Sequence, residues 1–155
     1  LLLQDNHGLN INLLLWSLWC ATRYETPPEL VVRKAIDLTR RWSTDVTAKL
    51  RSVRRALKEP PAEASSVEAQ ELRARLKDDE LMAEKIEQSM LESLAEGNLL
   101  RLTQAAGAAA RARKTLASYV RMTGAAKSPG FSVSLLENLI ELTFPVSESD
   151  GSCVG

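Results

Sequence analysis

The chain has 155 residues with 20 basic and 20 acidic side chains, so its formal net charge is zero. That balance excludes a global field drawing it to nucleic acid or an anionic membrane, and the length suits one domain with a real core. Two cysteines, Cys20 and Cys153, lie too far apart in character to suggest a disulfide, one in an apolar helix and one in a polar tail; this fits a reducing, cytoplasmic setting.

Leu1-Leu2-Leu3-Gln4-Asp5 reads as the last turn of a helix whose beginning is absent, so a fragment or processed chain is expected. No basic region followed by an apolar run and a small-residue cleavage site marks an export signal. Asn6-His7-Gly8 is a helix stop, with Gly free to take positive φ. Asn10 is a good N-cap for a helix running to about Arg23. That helix is apolar on every side: Ile11, Leu14, Leu15 and Leu18 form one face, Leu13, Trp16 and Cys20 another, with Trp19 between. Such a helix must be wrapped by others or lie in a membrane, and its apolar core is far short of the roughly 20 residues a span needs. A central buried helix is expected.

Thr26-Pro27-Pro28-Glu29 reads as a cap and first turn for a helix over 27–41, with Leu30, Val31, Ala35 and Leu38 inward. Trp42-Ser43-Thr44-Asp45 reads as a break and restart. Val46, Leu50, Val53 and Leu57 then follow at amphipathic spacing, with Arg51, Arg54, Arg55 and Lys58 as a basic stripe on the opposite face. Pro60-Pro61 ends this helix, and Ser65 or Ser66 caps a long one reaching Glu96. Its seam is Ala69, Leu72, Leu76, Ala83, Ile86 and Met90, interrupted by Asp79 and Ser93. At about 1.5 Å per residue it spans about 45 Å, the whole width of a compact chain of this size, or projects from it. After a break at Gly97-Asn98, Leu99 to about Met122 forms a further helix in which Gly107 is a packing residue. The two make an antiparallel arm over 66–122. Ser134 and Glu137 suggest a capping box for a closing helix over 133–143 with Leu135, Leu136, Leu139, Ile140 and Leu142. Residues 146–155 read as a disordered tail. No period-two run or hairpin signal marks a strand.

Charge falls in blocks. Residues 27–58 carry nine basic and three acidic groups, 59–97 four and eleven, 98–131 six and none, and 132–155 none and four. The plain reading is an acidic helix packed against basic neighbours. Glu92 and Glu96 stand in its last turn, where the macrodipole disfavours anions, so a basic partner near Arg101 is expected.

Little here reads as chemistry. Glu80, Glu84 and Glu87 share a helical face, but helical di-iron sites also need histidines, and His7 is the chain's single one; the set reads as a solvated acidic face. An Asp5–His7 pair is conceivable, yet histidine is simply favourable at a helix C-terminus. No glycine-rich phosphate loop, Cys-x-x-Cys or His-Glu-x-x-His occurs, so no cofactor or metal is implied. Asn10 and Asn12 are explained as caps, with Gln4 and Asp5 as remaining polar residues near that turn.

Leu3-Gln4-Asp5, Gly8, Asn12-Leu13-Leu14-Leu15 and Trp19 resemble the signature of a small proteobacterial family of unknown function. Its members open with a helix containing Trp and Tyr, continue through Leu-Gln-Asp, a Gly, Asp-Val-Asn-Leu-Leu-Leu and a Trp, and pass into a basic helix. Here Asn10-Ile11 stand at the Asp-Val position, and the likeness covers roughly residues 1–90. The resemblance implies a cytoplasmic bacterial protein and transfers no functional residue.

The expected fold is all-α, a single helical domain over 1–145: a bundle around the central helix, with the long antiparallel arm. The leading functional expectation is a non-enzymatic protein–protein interaction or adaptor module, binding a protein partner or a second copy through Leu76, Ala83, Ile86 and Met90. The alternative is nucleic-acid association through the stripe over 40–58, chiefly Arg51, Arg54, Arg55 and Lys58, which would be salt-sensitive and lacks interleaved aromatics for base stacking. An enzyme would need a deep pocket near Asp5, His7 and Trp16. No membrane role is expected.

Overall fold

The computed structural model describes residues 9–104 and 106–145. These form α1 (Ile11–Arg23), α2 (Glu29–Trp42), a π-helical turn (Ser43–Thr47), α3 (Ala48–Ala56), α4 (Ser66–Asn98), α5 (Ala108–Thr123), a short 3-10 turn (Ala125–Lys127) and α6 (Val133–Thr143). Among the described residues there is no strand; one isolated antiparallel bridge joins Tyr24 to Arg101. The fold is all-α. The readings at Asp5, His7 and the tail lie outside the described residues.

The apolar stretch forms the centre. In α1, Asn12, Leu13, Leu14, Trp16, Ser17, Leu18, Cys20 and Ala21 are buried. Asn10 caps it, its side chain accepting from the Leu13 amide. α5 covers one side through Ala112, Leu116, Tyr119 and Val120, and α2 adds Val31, Val32, Ala35 and Ile36. α6 closes the far side of α5 with Leu136 and Ile140. No helix among the described residues is long and apolar enough to cross a membrane.

Several boundaries differ from the sequence reading. Thr26 does not cap α2: the cap is Pro28, with no side-chain bond, its carbonyl taking the Val31 and Val32 amides. The expected break at Ser43 is instead a continuous π-turn, so α2 and α3 form one rod. Gly107 is not inside a helix. It opens α5 with φ +78, a left-handed conformation that favours glycine. The cap of α6 is Ser132, not Ser134, and Glu137 pairs with Arg113 at 2.8 Å rather than closing a capping box.

The long helix α4 has 33 residues, about 50 Å at the standard rise. Its antiparallel neighbour is the rod that precedes it, not α5. Lys34 lies by Asn98, Trp42 by Ala83 and Arg54 by Glu80, a descending register. α5 packs most extensively on α1. Between α4 and α5 the chain runs extended: the Glu25 amide donates to Leu100 and the Leu102 amide to Arg23. This strap turns the chain across the end of α1 and carries α5 away from α4. Arg101 meets Glu96 at 3.5 Å, the basic partner the acidic helix end requires.

Candidate functional site

The inward line of α4 is Ala69, Arg73, Leu76, Glu80, Ala83 and Glu87, continuing to Leu91 and Ala95. It shares Ala69, Leu76 and Ala83 with the seam read from sequence. Its other positions lie one residue later than Leu72, Asp79 and Ile86, turning the helix by about 100° per residue. Carboxylates therefore point into the molecule. Glu80 and Glu87 are buried, which corrects the reading of a solvated acidic face.

Opposing residues explain that choice. Arg54 grips both Glu80 oxygens, Nε at 2.5 Å and Nη2 at 3.3 Å, and Arg51 reaches Glu84 at 2.8 Å. The Glu80 hydrogen bond holds the Arg54 guanidinium above its ordinary pKa. Thr47, Arg51 and Arg54 fall at i, i+4 and i+7, so α3 meets α4 through this line. Val53 is exposed, and α3 has no fully buried residue. The basic stripe is thus divided. Arg51 and Arg54 pair with α4, whereas Arg55 and Lys58 are exposed.

A second polar cluster joins α1 to α4. Both Glu87 oxygens accept amide donors, from Asn10 Nδ2 at 3.0 Å and Asn12 Nδ2 at 2.5 Å. Asn12 Oδ1 takes Gln88 Nε2 at 3.0 Å. The Asn10 backbone amide donates to the Tyr119 hydroxyl at 2.7 Å, tying in α5. Burial pushes the Tyr119 phenol up to about 12. Burial also raises Glu87 above the ordinary carboxylate range, opposed by the two asparagine bonds. Sequence reasoning explained Asn10 and Asn12 as caps. The signal it lacked was the register that sets Glu87 opposite them.

A polar cavity of about 120 Å³ opens here, lined by Asn10, Asn12, Ser43, Thr47, Arg51, Glu84 and Glu87, with Ile11 as its apolar wall. The π-turn builds one side of it. A π-helical turn widens the spiral, and such turns recur at functional sites; this one directs both Ser43 and Thr47 at the cavity. Thr47 is 4% exposed, and its hydroxyl has no hydrogen-bond partner.

A family model described as "Protein of unknown function (DUF2390)" matches residues 1–91. The chain belongs to this family. The family region ends at Leu91 and contains every residue lining the polar cavity, while α5, α6 and Tyr119 lie beyond it. Neither a curated protein nor a solved structure matches the chain.

The outward side of α4 carries the rest of the expected seam. Ala83 is buried and Leu76 half-buried within the chain, but Ile86 is 41% exposed, Met82 56% and Leu72 39%. Met82, Ile86, Met90 and Leu94 form one wall of an open groove of about 650 Å³, faced across it by Leu38 of α2. Two tryptophans brace this helix from behind. Trp16 donates to the Leu91 carbonyl at 2.8 Å and Trp42 to the Ala83 carbonyl at 3.0 Å.

Proposed function

We propose that this protein is a non-enzymatic interaction module that holds an amphipathic helix of a partner protein along the outer face of α4. The observation that carries the reading is the groove between Leu38 and the Met82–Ile86–Met90 line. Its apolar positions recur at helical spacing, the pattern by which one helix receives another. Methionines suit such a surface because their unbranched side chains adapt to a partner. The charged residue of the groove lining is Lys85, which favours an amphipathic helix with an acidic flank over a second copy of this face. Nucleic-acid association has less support, because two of the four stripe cations, Arg51 and Arg54, are engaged by Glu80 and Glu84.

The test places a photo-crosslinking residue at Ile86 in the full chain, expressed in its native cell. The reading expects one discrete adduct with another protein, lost when Met82→Glu or Met90→Glu is added on the same face. Leu81→Glu, on a different exposed face, should leave it intact. An adduct between two copies of this chain, or none, overturns the proposal.

A further inference from the structure

A further cavity, of about 340 Å³, lies between α5, the 3-10 turn and α6, wholly beyond the family region that ends at Leu91. Its walls are apolar: Leu116 and Val120 from α5, Leu136 and Ile140 from α6, with Phe131 and Val133 beside them. Its polar side chains are partly or wholly exposed, so they stand at the rim. That rim carries three cations, Arg113, Arg121 and Lys127, against the carboxylate of Glu137. Arg113 is spent on Glu137 at 2.8 Å and Arg121 on Glu29. Lys127 has no carboxylate partner among the described residues. Gly124, at φ +72, turns the chain out of α5 and sets this lysine over the apolar walls.

From this arrangement we infer that the cavity between α5 and α6 binds a medium-chain alkyl carboxylate, with its chain among the apolar walls and its carboxylate on Lys127. Small-molecule sites are concave and mostly apolar, of about 300–1,000 Å³, with a few polar groups that fix orientation. This cavity meets each condition, at the small end of that range. A sugar or a nucleotide would bury hydroxyls and ring nitrogens against walls that offer them no partner. An alkyl chain has none to lose and gains by leaving water. The headgroup is chosen by charge. A carboxylate meets an unspent ammonium with three N–H donors. An alkylammonium would meet that same ammonium and two guanidiniums, with the rim carboxylate already taken by Arg113. The cavity shares no residue with the groove on α4, so this inference and the helix-docking reading stand or fall separately.

The experiment titrates the intact protein with sodium octanoate below its micellar concentration and follows the methyl resonances of Val120, Leu136 and Ile140 by NMR. Octanol and octylammonium chloride at matched ionic strength serve as controls. The expected result is a saturable shift at all three residues, with octanoate tighter than octanol and octylammonium weakest. Lys127→Met keeps the apolar stem at an exposed position and removes only the charge. It should stay folded, weaken octanoate about threefold to fivefold, the worth of one partly screened ion pair, and leave octanol unchanged. Ala117 is exposed on α5 and lines the cavity, so Ala117→Trp should block octanoate and octanol alike without entering the core. No saturable shift with octanoate, octanol or octylammonium binding as tightly, or undiminished octanoate binding by the folded Lys127→Met protein would each overturn the assignment.

Discussion

Replacing Glu87 by Ala removes the one acceptor that both Asn10 and Asn12 use to join α1 to α4. Asn12 is almost wholly buried, so its amide loses its partner with little access to water; an unsatisfied buried donor costs about 1–3 kcal/mol. Asn10 is half-buried and recovers water, adding about 0.5–1 kcal/mol for the bond itself. The loss of side-chain packing pushes the same way, giving a destabilisation of about 2–4 kcal/mol in acid. The pH dependence has a definite sign. Burial raises the folded-state pKa of Glu87 above the ordinary 4.5, so the folded protein holds this proton more tightly than the unfolded chain. The native protein is then favoured at and below the unfolded pKa, and loses that advantage as pH rises through the folded pKa. Glu84, Arg51 and Tyr119, which surround the site, are present in both proteins and largely cancel in the difference. The cost of Glu87→Ala should therefore be greatest near pH 4.5 and shrink as pH rises. Urea denaturation followed by tryptophan fluorescence, across that range for both proteins, measures it; Trp16 and Trp42 both touch α4. A cost below about 1 kcal/mol, or one that grows with pH, would refute the reasoning.

Gly107→Ala should cost about 1–2 kcal/mol, because residue 107 sits at φ +78 and an added Cβ meets the Arg111 guanidinium at 3.4 Å; an unchanged thermal midpoint would count against the cap geometry. Leu116→Ala opens a cavity where α5 crosses α1, at a side chain 1% exposed, and should cost about 2–5 kcal/mol by urea denaturation. Cys20 is buried in α1 and burial pushes its thiol well above the ordinary range. It should resist a thiol reagent in the native protein and react in urea, and rapid native labelling would show that α1 is not enclosed as described.

The elements most legible in the sequence were those set by local chemistry. An apolar run too short for a membrane reads as a wrapped helix, and Leu13, Trp16, Leu18 and Cys20 are buried as that logic requires, whereas Leu15 is 48% exposed, so the helix is not enclosed on every side. Asn10 and Ser65 cap the helices they precede, because a side-chain oxygen beside free amides needs no tertiary information. The partner of α4 was less legible. Charge blocks pointed to basic neighbours on both sides, and only the extended strap at 99–104, held by backbone bonds to Arg23 and Glu25, sends α5 to α1 instead. The π-turn was invisible for a related reason. Ser43 to Thr47 carry turn-like residues, and whether such a stretch breaks or widens a helix depends on what the rod must meet on either side.

The candidate site was hidden by an ambiguity in the heptad. A repeat of about 3.5 residues has two possible seams that share every first position and differ in whether the second lies three or four residues on. In α4 the shared positions are Ala69, Leu76 and Ala83. The three-step seam adds Leu72, Asp79 and Ile86, and the four-step seam adds Arg73, Glu80 and Glu87. Hydrophobicity selects the first, and the chain adopts the second. The reason lies across the interface, where α3 presents Arg51 and Arg54 and α1 presents Asn10 and Asn12. Burying Ile86 there in place of Glu87 would strand the two amides against an apolar side chain, and a buried polar group without a partner costs more than an exposed isoleucine loses. The same rotation has two consequences. It places Glu87 in front of the polar cavity, and it leaves Ile86 facing solvent one residue earlier. The inner site and the outer groove are therefore alternative faces of one register, and a substitution that reversed the register would remove both.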